Sequence, residues 1–210
     1  MPGMTQLVID LDGPLLDGSA RHYHCYRAIL EQFGFPVLNR ESYWEAKRNR
    51  TDRRELLKRS NAETLYETYQ EQWLSMIESP EALALDVLQE GALKTVRYWK
   101  SRGFTLTLAT LRHDAAALHA QLARLELNPF FDHIVASPHE KGAEGKAAAV
   151  KAVQAHSAVW IGDTEIDYEA ACKLGCDAVL VTNGVRSEEY LRTLQDARIV
   201  PSIITLKDVF

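Results

Sequence analysis

From residue 91 onward the sequence alternates between short apolar segments and segments with helical spacing, and this alternation limits the possible folds. The apolar segments are short and rich in β-branched residues, as buried strands are, whereas the others repeat apolar residues every three or four positions. Repeated β–α units of this length predict a parallel, doubly wound α/β sheet. The predicted helices cover 93–103, 114–127, 145–156 and 166–175, and the predicted strands cover 104–110, 133–137, 158–163 and 177–183.

The N-terminal part of the chain contains one further predicted strand, followed by a segment of different composition. The apolar run Leu7–Ile9 ends at Asp10 and is typical of a buried parallel strand. Residues 17–90 are rich in charge, tyrosine and tryptophan, have helical spacing and contain no convincing strand. We therefore predict a core domain formed by residues 1–16 and 91–210, with residues 17–90 inserted as a helical domain.

Composition narrows the class of protein and of partner. The 210 residues are 46% hydrophobic and 25% charged, as in globular proteins, and a net charge of -5 favours a small-molecule partner over nucleic acid or a membrane. Cys25, Cys172 and Cys176 lack the C-x-x-C spacing of a zinc site and form an odd set. The start of the chain has no basic leader pattern, and no stretch approaches the ~20 apolar residues of a membrane span. We expect a cytoplasmic protein.

Polar residues stand at the ends of three predicted strands. Asp10 and Asp12 follow the first strand, Thr110 ends another, and Asp163 with Asp167 follows a third. Each pattern alone also fits a solvated turn or a helix cap. In an open parallel sheet, however, ligands bind beyond the carboxyl ends of the strands, and paired acids there supply the oxygen ligands that Mg²⁺ prefers.

A lysine near the start of the helix predicted over 145–156 is a further candidate. Lys146 opposes the dipole at that end of the helix, which favours a functional reason for its presence. Lys141 is the rival, and the sequence leaves the choice between them open. A phosphate loop over these residues is excluded, because Glu140 replaces its first glycine and Ala147 its Ser or Thr.

The order and spacing of these residues resemble the four motifs of the haloacid dehalogenase (HAD) superfamily, whose members include phosphoglycolate phosphatases and β-phosphoglucomutases. The resemblance covers the whole chain, because the insert at 17–90 stands where this family carries a helical cap between its first and second motifs. It implies a Rossmann-like core and a Mg²⁺-dependent phosphatase that acts on a small phosphorylated metabolite. Pro14 departs from the usual threonine or valine, which we interpret as a stiffer turn.

The resemblance also implies a role for each matched residue. Asp10 would attack phosphorus and form an aspartyl-phosphate, and Asp12 would serve as general acid and base. Thr110 and Lys146 would hold the phosphoryl oxygens. The metal would lie among Asp10, Asp12, Asp163 and Asp167, and the substrate phosphate would also meet Gly13, Leu111 and Arg112.

Two other functions stay open. A sugar phosphomutase of this superfamily uses the same acids and a similar cap, so the motifs do not separate it from a phosphatase. A non-catalytic binding or regulatory module on the same fold is the second alternative, although such a protein is expected to have lost Asp10 or Asp12.

The insert offers one clue to the substrate. Seven basic residues lie between Lys47 and Arg59, which is also typical of a solvated helical face. We predict that Arg48 or Arg50 reaches the active site and contacts an anionic or polyhydroxylated part of the substrate, because arginine offers planar, multiple hydrogen-bond donors.

Overall fold

The computed structural model describes residues 6–153 and 158–210. Outside these ranges lie residues 1–5, which belong to the segment predicted to lack a leader pattern, and positions 154–156 of the helix predicted over 145–156. The strands are β1 (Gln6–Ile9), β2 (Leu16–Asp17), β3 (Val87–Leu88), β4 (Thr105–Leu111), β5 (His133–Ser137), β6 (Ala158–Gly162), β7 (Asp177–Val181) and β8 (Arg198–Val200).

Helices connect these strands. They are α1 (Ser19–Gln32), α2 (Arg40–Arg48), α3 (Arg53–Lys58), α4 (Tyr66–Met76), α5 (Pro80–Leu83), α6 (Ala92–Ser101), α7 (Ala115–Arg124), α8 (Gly142–Lys151), α9 (Glu165–Leu174) and α10 (Glu188–Leu191). Short 3₁₀ segments lie at Glu63–Leu65, Asn128–Phe130, His139–Lys141 and Ile203–Leu206. No helix within the described residues is long and apolar enough to cross a membrane.

Six strands form one parallel sheet in the order β5-β4-β1-β6-β7-β8, which confirms the doubly wound α/β fold. Strand β1 lies at the centre, because Ile9 is in register with Leu108 on one side and Ile161 on the other. The chain reverses its direction of winding there, at the point where ligands bind in such sheets. The ends of β1, β4 and β6 therefore meet at one edge.

Both faces of the sheet are covered, as side-chain alternation along β1 requires. Leu7 and Ile9 point into an apolar cluster that includes Trp99 of α6, whereas Val8 points into a second cluster with Trp160. Helices α6 and α7 cover the first face, and α8 and α9 cover the second. Burial of each large aliphatic side chain contributes roughly 1.5–3 kcal/mol to the free energy of unfolding.

The segment between β2 and β3 is helical and has a core of its own. Tyr26 of α1 stacks on Tyr43 of α2 with ring centroids 4.5 Å apart, and Trp73 belongs to the same buried cluster. The expectation of no strand in 17–90 was wrong at its two ends. Leu16 and Asp17 pair antiparallel with Leu88 and Val87 in a separate two-stranded sheet, where the chain enters and leaves the helical segment.

Candidate active site

A small cavity of about 110 Å³ opens at the carboxyl edge of the sheet, where β1, β4 and β6 end. The strand order places Asp10 between the other two strand ends, so sequence positions far apart become neighbours. The structure thus brings together most of the residues that the sequence singled out. The cavity is lined by Asp10, Asp12, Thr110, Leu111, Arg112, His139, Lys146, Asp163, Thr164, Ile166 and Val185.

Asp10 and Lys146 form a buried ion pair at the centre of this cavity. Lys146 Nζ lies 2.9 Å from Asp10 Oδ1 and 2.6 Å from Asp167 Oδ1. Burial and the charge of Asp167 raise the pKa of Asp10 to about 7. The two carboxylates raise the pKa of Lys146 despite its burial, so the ammonium stays charged. The site therefore holds a fixed positive charge beside a carboxylate whose ionisation is opposed by burial and by Asp167.

The structure separates the two candidate lysines. Lys141 is exposed in a 3₁₀ segment, whereas Lys146 is 2% exposed and points at Asp10. The prediction that Lys146 stands at the start of its helix was wrong, because α8 begins at Gly142 and Lys146 lies in its second turn. The two acids, and not the end of the helix, account for the buried ammonium.

Asp163 has the environment expected of a metal ligand. Its Oδ1 is buried and has no hydrogen-bond partner among the described residues, while Oδ2 accepts from the Val185 N–H. Carboxylate oxygens of Asp10, Asp163 and Asp167 lie within 4.8 Å of one another. Burial and the charges of Asp10 and Asp167 raise the pKa of Asp163 well above its usual range. A hard divalent cation fits this oxygen-only donor set and would relieve the repulsion.

Asp167 belongs to this cluster but is already saturated with donors. Its Oδ1 accepts from Lys146 and from Trp160 Nε1, and its Oδ2 accepts from the Thr164 hydroxyl at 2.7 Å and from the Asp163 and Thr164 amides. A carboxylate offers about four acceptor positions, so these donors leave none of them free. Asp167 therefore positions Lys146 and the loop after β6, and direct metal binding by it would require breaking these bonds.

The side chain of Asp12 turns away from the three acids and lies between two arginines. Arg21 Nη2 contacts Asp12 Oδ1, and Arg112 Nη1 lies 2.6 Å from Asp12 Oδ2. Although burial alone would raise the pKa of Asp12, these guanidinium groups hold it well below its usual range. The metal cluster among the described residues accordingly does not include the Asp12 carboxylate.

Buried donors without partners face the same cavity. Within the described part of the chain, Thr110 Oγ1 and the Nε and Nη2 atoms of Arg112 have no hydrogen-bond partner. Thr110 is 1% exposed and Arg112 is 4% exposed, so water does not replace the missing acceptors freely. Leu111 lines the cavity between them. An anion with several oxygens, such as phosphate, would satisfy these donors.

Gly13 takes part through its backbone alone. Its φ is +98°, in the region that favours glycine, and a Cβ there would lie 2.2 Å from Asp163 Cγ. Gly13 does not line the cavity around Asp10, and its contact with substrate stays a prediction. Gly13 instead allows the loop after β1 to close onto Asp163.

The two arginines proposed to reach the substrate are engaged elsewhere. Arg48 Nη2 donates to the Thr182 carbonyl at 2.6 Å, and thereby ties α2 to the loop after β7. Arg50 lies 3.0 Å from Glu165 Oε1 and donates to the Tyr190 hydroxyl at 2.9 Å. Neither of them lines the cavity around Asp10, although Arg50 lines a second cavity in the helical segment.

Two residues at the site, Arg21 and His139, were not predicted from the sequence. Arg21 joins Asp12 to Asp86, which lies just before β3, and so links α1 to the loop after β1. His139 lines the cavity and lies 3.2 Å from Glu78 Oε1. The sequence offered one hint for Arg21, which is a basic residue within ten positions of Asp12. It offered no hint for His139.

The comparisons with known proteins agree with this geometry. Residues 7–181 match the family model described as haloacid dehalogenase-like hydrolase, and the chain belongs to this family. A sequence search of curated proteins found no match.

Solved structures share the fold over nearly the whole chain. A predicted phosphatase from Clostridium acetobutylicum is 22% identical with a TM-score of 0.76, covering 98% of this chain and 97% of its own. A haloacid dehalogenase-like hydrolase from Streptococcus pneumoniae is 19% identical with a TM-score of 0.77, covering 98% of both chains. Protein Tyrosine Kinase A of Mycobacterium tuberculosis is 20% identical with a TM-score of 0.78, covering 99% and 98%. At these identities the likeness shows the fold alone.

Proposed function

We propose that this hydrolase is a Mg²⁺-dependent phosphatase that acts on a small phosphorylated metabolite through an aspartyl-phosphate on Asp10. The observation that carries the proposal is the placement of the Asp10 carboxylate beside Lys146, with the partnerless donors of Thr110 and Arg112 facing the same cavity. A nucleophile, a fixed cation and unsatisfied donors are the parts that phosphoryl transfer requires.

Asp10 and Asp163 would hold Mg²⁺, together with the backbone carbonyl of Asp12 that the family resemblance implies. The bound ion would offset the repulsion between the Asp10 carboxylate and an anionic substrate. Lys146 would neutralise a phosphoryl oxygen, and Thr110 would donate a hydrogen bond to another. Preorganised donors of this kind stabilise charge in the transition state, because they need no reorganisation during the reaction.

The reaction would proceed in two displacements. A carboxylate oxygen of Asp10 attacks phosphorus, the bond from phosphorus to the leaving alcohol breaks, and that alcohol oxygen takes a proton from Asp12. Water then attacks phosphorus, gives its proton to the Asp12 carboxylate, and the bond to Asp10 breaks to release inorganic phosphate. The ionised Asp12 suits the second step, whereas the first requires it to leave Arg21 and Arg112 and take up a proton.

The helical segment is proposed to act as a cap over this site, with the core at 1–16 and 91–210 and the cap at 17–90. Cap side chains such as Trp73 already contact core residues such as His139, which supports this division. We place the enzyme in the cytoplasm, where the exposed thiol of Cys172 would stay reduced. A phosphomutase with the same acids stays the alternative.

A phosphate-release screen of the purified protein tests the proposed function. The panel would hold phosphorylated sugars, glycolate, nucleotides and p-nitrophenyl phosphate, each with Mg²⁺ and again with EDTA. We expect release that needs Mg²⁺ and is lost in Asp10→Asn, whose melting curve should match that of the unaltered protein. Release that persists in Asp10→Asn would overturn the role of Asp10, and no release from any ester would overturn the function.

A further inference from the structure

A second cavity, which we call the cap pocket, lies within the helical segment where it faces the core. It has a volume of about 450 Å³, several times that of the cavity around Asp10. Its walls combine basic groups with aromatic rings from α2, α3 and α4, and one residue comes from the loop after β7. The lining residues used below are Lys47, Arg53, Arg186, Tyr43, Tyr69 and Trp73.

Two cations in the cap pocket lack acidic partners. No ion pair within residues 6–153 and 158–210 includes Lys47 or Arg53. Arg53 donates only to the neutral Gln70 at 3.3 Å, and Lys47 Nζ lies 5.6 Å from the centroid of the Trp73 ring. Asp52 also lines the pocket, but it is exposed and accepts from the Arg54 N–H as the cap of α3.

Arg186 adds a third guanidinium to the walls, but its donors are already engaged. Its Nε and Nη2 pair with Glu165 at 2.7 and 2.8 Å, and its Nη1 donates to the Lys47 carbonyl at 3.1 Å. Burial, together with Arg186 and Arg53, lowers the pKa of Lys47 to about 7. The ammonium of Lys47 is therefore unfavourable beside Arg53, and a bound anion would relieve this repulsion.

Aromatic rings form the other walls of the cap pocket. The guanidinium of Arg53 lies 5.3 Å from the Trp73 centroid and 5.9 Å from that of Tyr69, which fixes its direction. Tyr43 and Tyr69 are buried, and they add apolar surface to this wall. A ligand with an anionic end and a flat body would match such a lining.

The cap pocket shares a wall with the cavity around Asp10. The rings of Trp73 and His139 pack edge to face with their centroids 6.3 Å apart, and His139 lines the cavity around Asp10. Arg186 follows Val185, whose N–H donates to Asp163. The two cavities are therefore neighbours on either side of this ring pair.

We propose that the cap pocket is a second anion subsite, in which Lys47 and Arg53 bind an acidic group on the leaving-group side of the substrate. The substrate class is a phosphate monoester that carries a second phosphate or a carboxylate, with its carbon skeleton lying against Trp73. The inference rests on the proposed function for the identity of the first site, but the charge of the second site is independent of catalysis.

Binding of inorganic phosphate to the Mg²⁺-loaded protein tests the site directly. Titration calorimetry should find two phosphate sites in the unaltered protein and one in Lys47→Met. Lys58→Met is the matched control, since Lys58 is an exposed cap lysine outside the pocket, and it should keep both sites. A single site in the unaltered protein, or two sites in Lys47→Met, would overturn the inference.

A kinetic comparison identifies the class of substrate. Matched pairs such as fructose 1,6-bisphosphate with fructose 6-phosphate, and 3-phosphoglycerate with glycerol 3-phosphate, differ by one acidic group. In at least one pair, we expect kcat/KM to be at least tenfold higher for the compound with the additional acidic group than for its partner. This ratio should fall at least tenfold in Lys47→Met and in Arg53→Met, and it should not change in Lys58→Met. No preference in either pair, or a ratio unchanged in both variants, would overturn the inference, whereas a phosphatase inactive on every ester would overturn the proposed function instead.

Discussion

Arg112 Nη1 lies 2.6 Å from Asp12 Oδ2, and together with Arg21 it keeps the proposed general acid ionised. A carboxylate held in this way is a poor proton donor until the pairing is broken. Closure of the cap is one event that could break it, because Arg21 belongs to α1 and also binds Asp86 just before β3.

The proton-transfer role of Asp12 predicts a graded response to the leaving group. Asp12→Ala should lower kcat/KM for alkyl phosphates by about 10²–10⁴-fold, and much less for aryl phosphates, whose leaving groups need little protonation. Asp17→Asn is the matched control, because it keeps the acceptor that Ser19 N–H uses. Equal losses with both substrate classes would contradict the general-acid role.

Lys146 and Lys141 provide a sharp comparison of two nearby lysines. Lys146→Met should lower kcat by about 10²–10³-fold, because a preorganised charge on the phosphoryl group is lost. It should also lower the free energy of unfolding by about 3 kcal/mol, since Asp10 and Asp167 lose their buried partner. Lys141→Met should change neither quantity. Similar kinetics in the two variants would remove Lys146 from the site.

Metal dependence has a readout apart from activity. Activity should vanish in EDTA, return with Mg²⁺ and be inhibited by Ca²⁺, which prefers more ligands and longer bonds. Mg²⁺ should raise the melting temperature of the unaltered protein, and Asp163→Asn should reduce that rise. The ionised Asp163 carboxylate is unfavourable in the folded protein. In the absence of metal, Asp163→Asn should therefore melt at a higher temperature than the unaltered protein. Full activity in chelator would contradict the metal site.

Glu78 predicts a pH-dependent contribution to stability. Burial opposes its ionisation, but His139 and the Asp114 and His113 amides lower its pKa to about 2 from 4.5. A lowered pKa stabilises the fold above the unfolded value, so the contribution is present above pH 4.5 and is lost as the pH falls toward 2. By urea unfolding, Glu78→Gln should cost about 1–2 kcal/mol at pH 7, allowing for partial solvent screening. Glu81→Gln is the control, because Glu81 is an exposed residue of the neighbouring α5, and a loss independent of pH would contradict this account.

Much of the fold followed from the sequence, because strand and helix periods are local. The strand ends at Asp10, Thr110 and Asp163 were predictable as neighbours, since parallel strands present their carboxyl ends at one edge. The short strands β2 and β3 were not predictable. Each has only two residues, and their pairing joins positions about seventy residues apart in the sequence.

The sequence alone did not determine which basic residues of the cap line a cavity. Lys47 and Arg48 are adjacent in α2, so their side chains point about 100° apart around the helix. Lys47 shares the face of Tyr43, four positions earlier, and this face turns to the cap pocket, whereas Arg48 turns to the loop after β7. The basic run predicted the charge, but the packing of α2 near Trp73 determines which cation lines the cap pocket.

The covalent step at Asp10 is the central claim, and trapping tests it most directly. The protein would be mixed with Mg²⁺ and its best substrate from the screen, quenched in acid during turnover and treated with borohydride, which reduces an acyl phosphate to the alcohol. Peptide mass analysis should then find homoserine at position 10, and only in samples that received substrate. Asp10 recovered unmodified while phosphate is still released, or the same reduction at a different aspartate, would contradict the account.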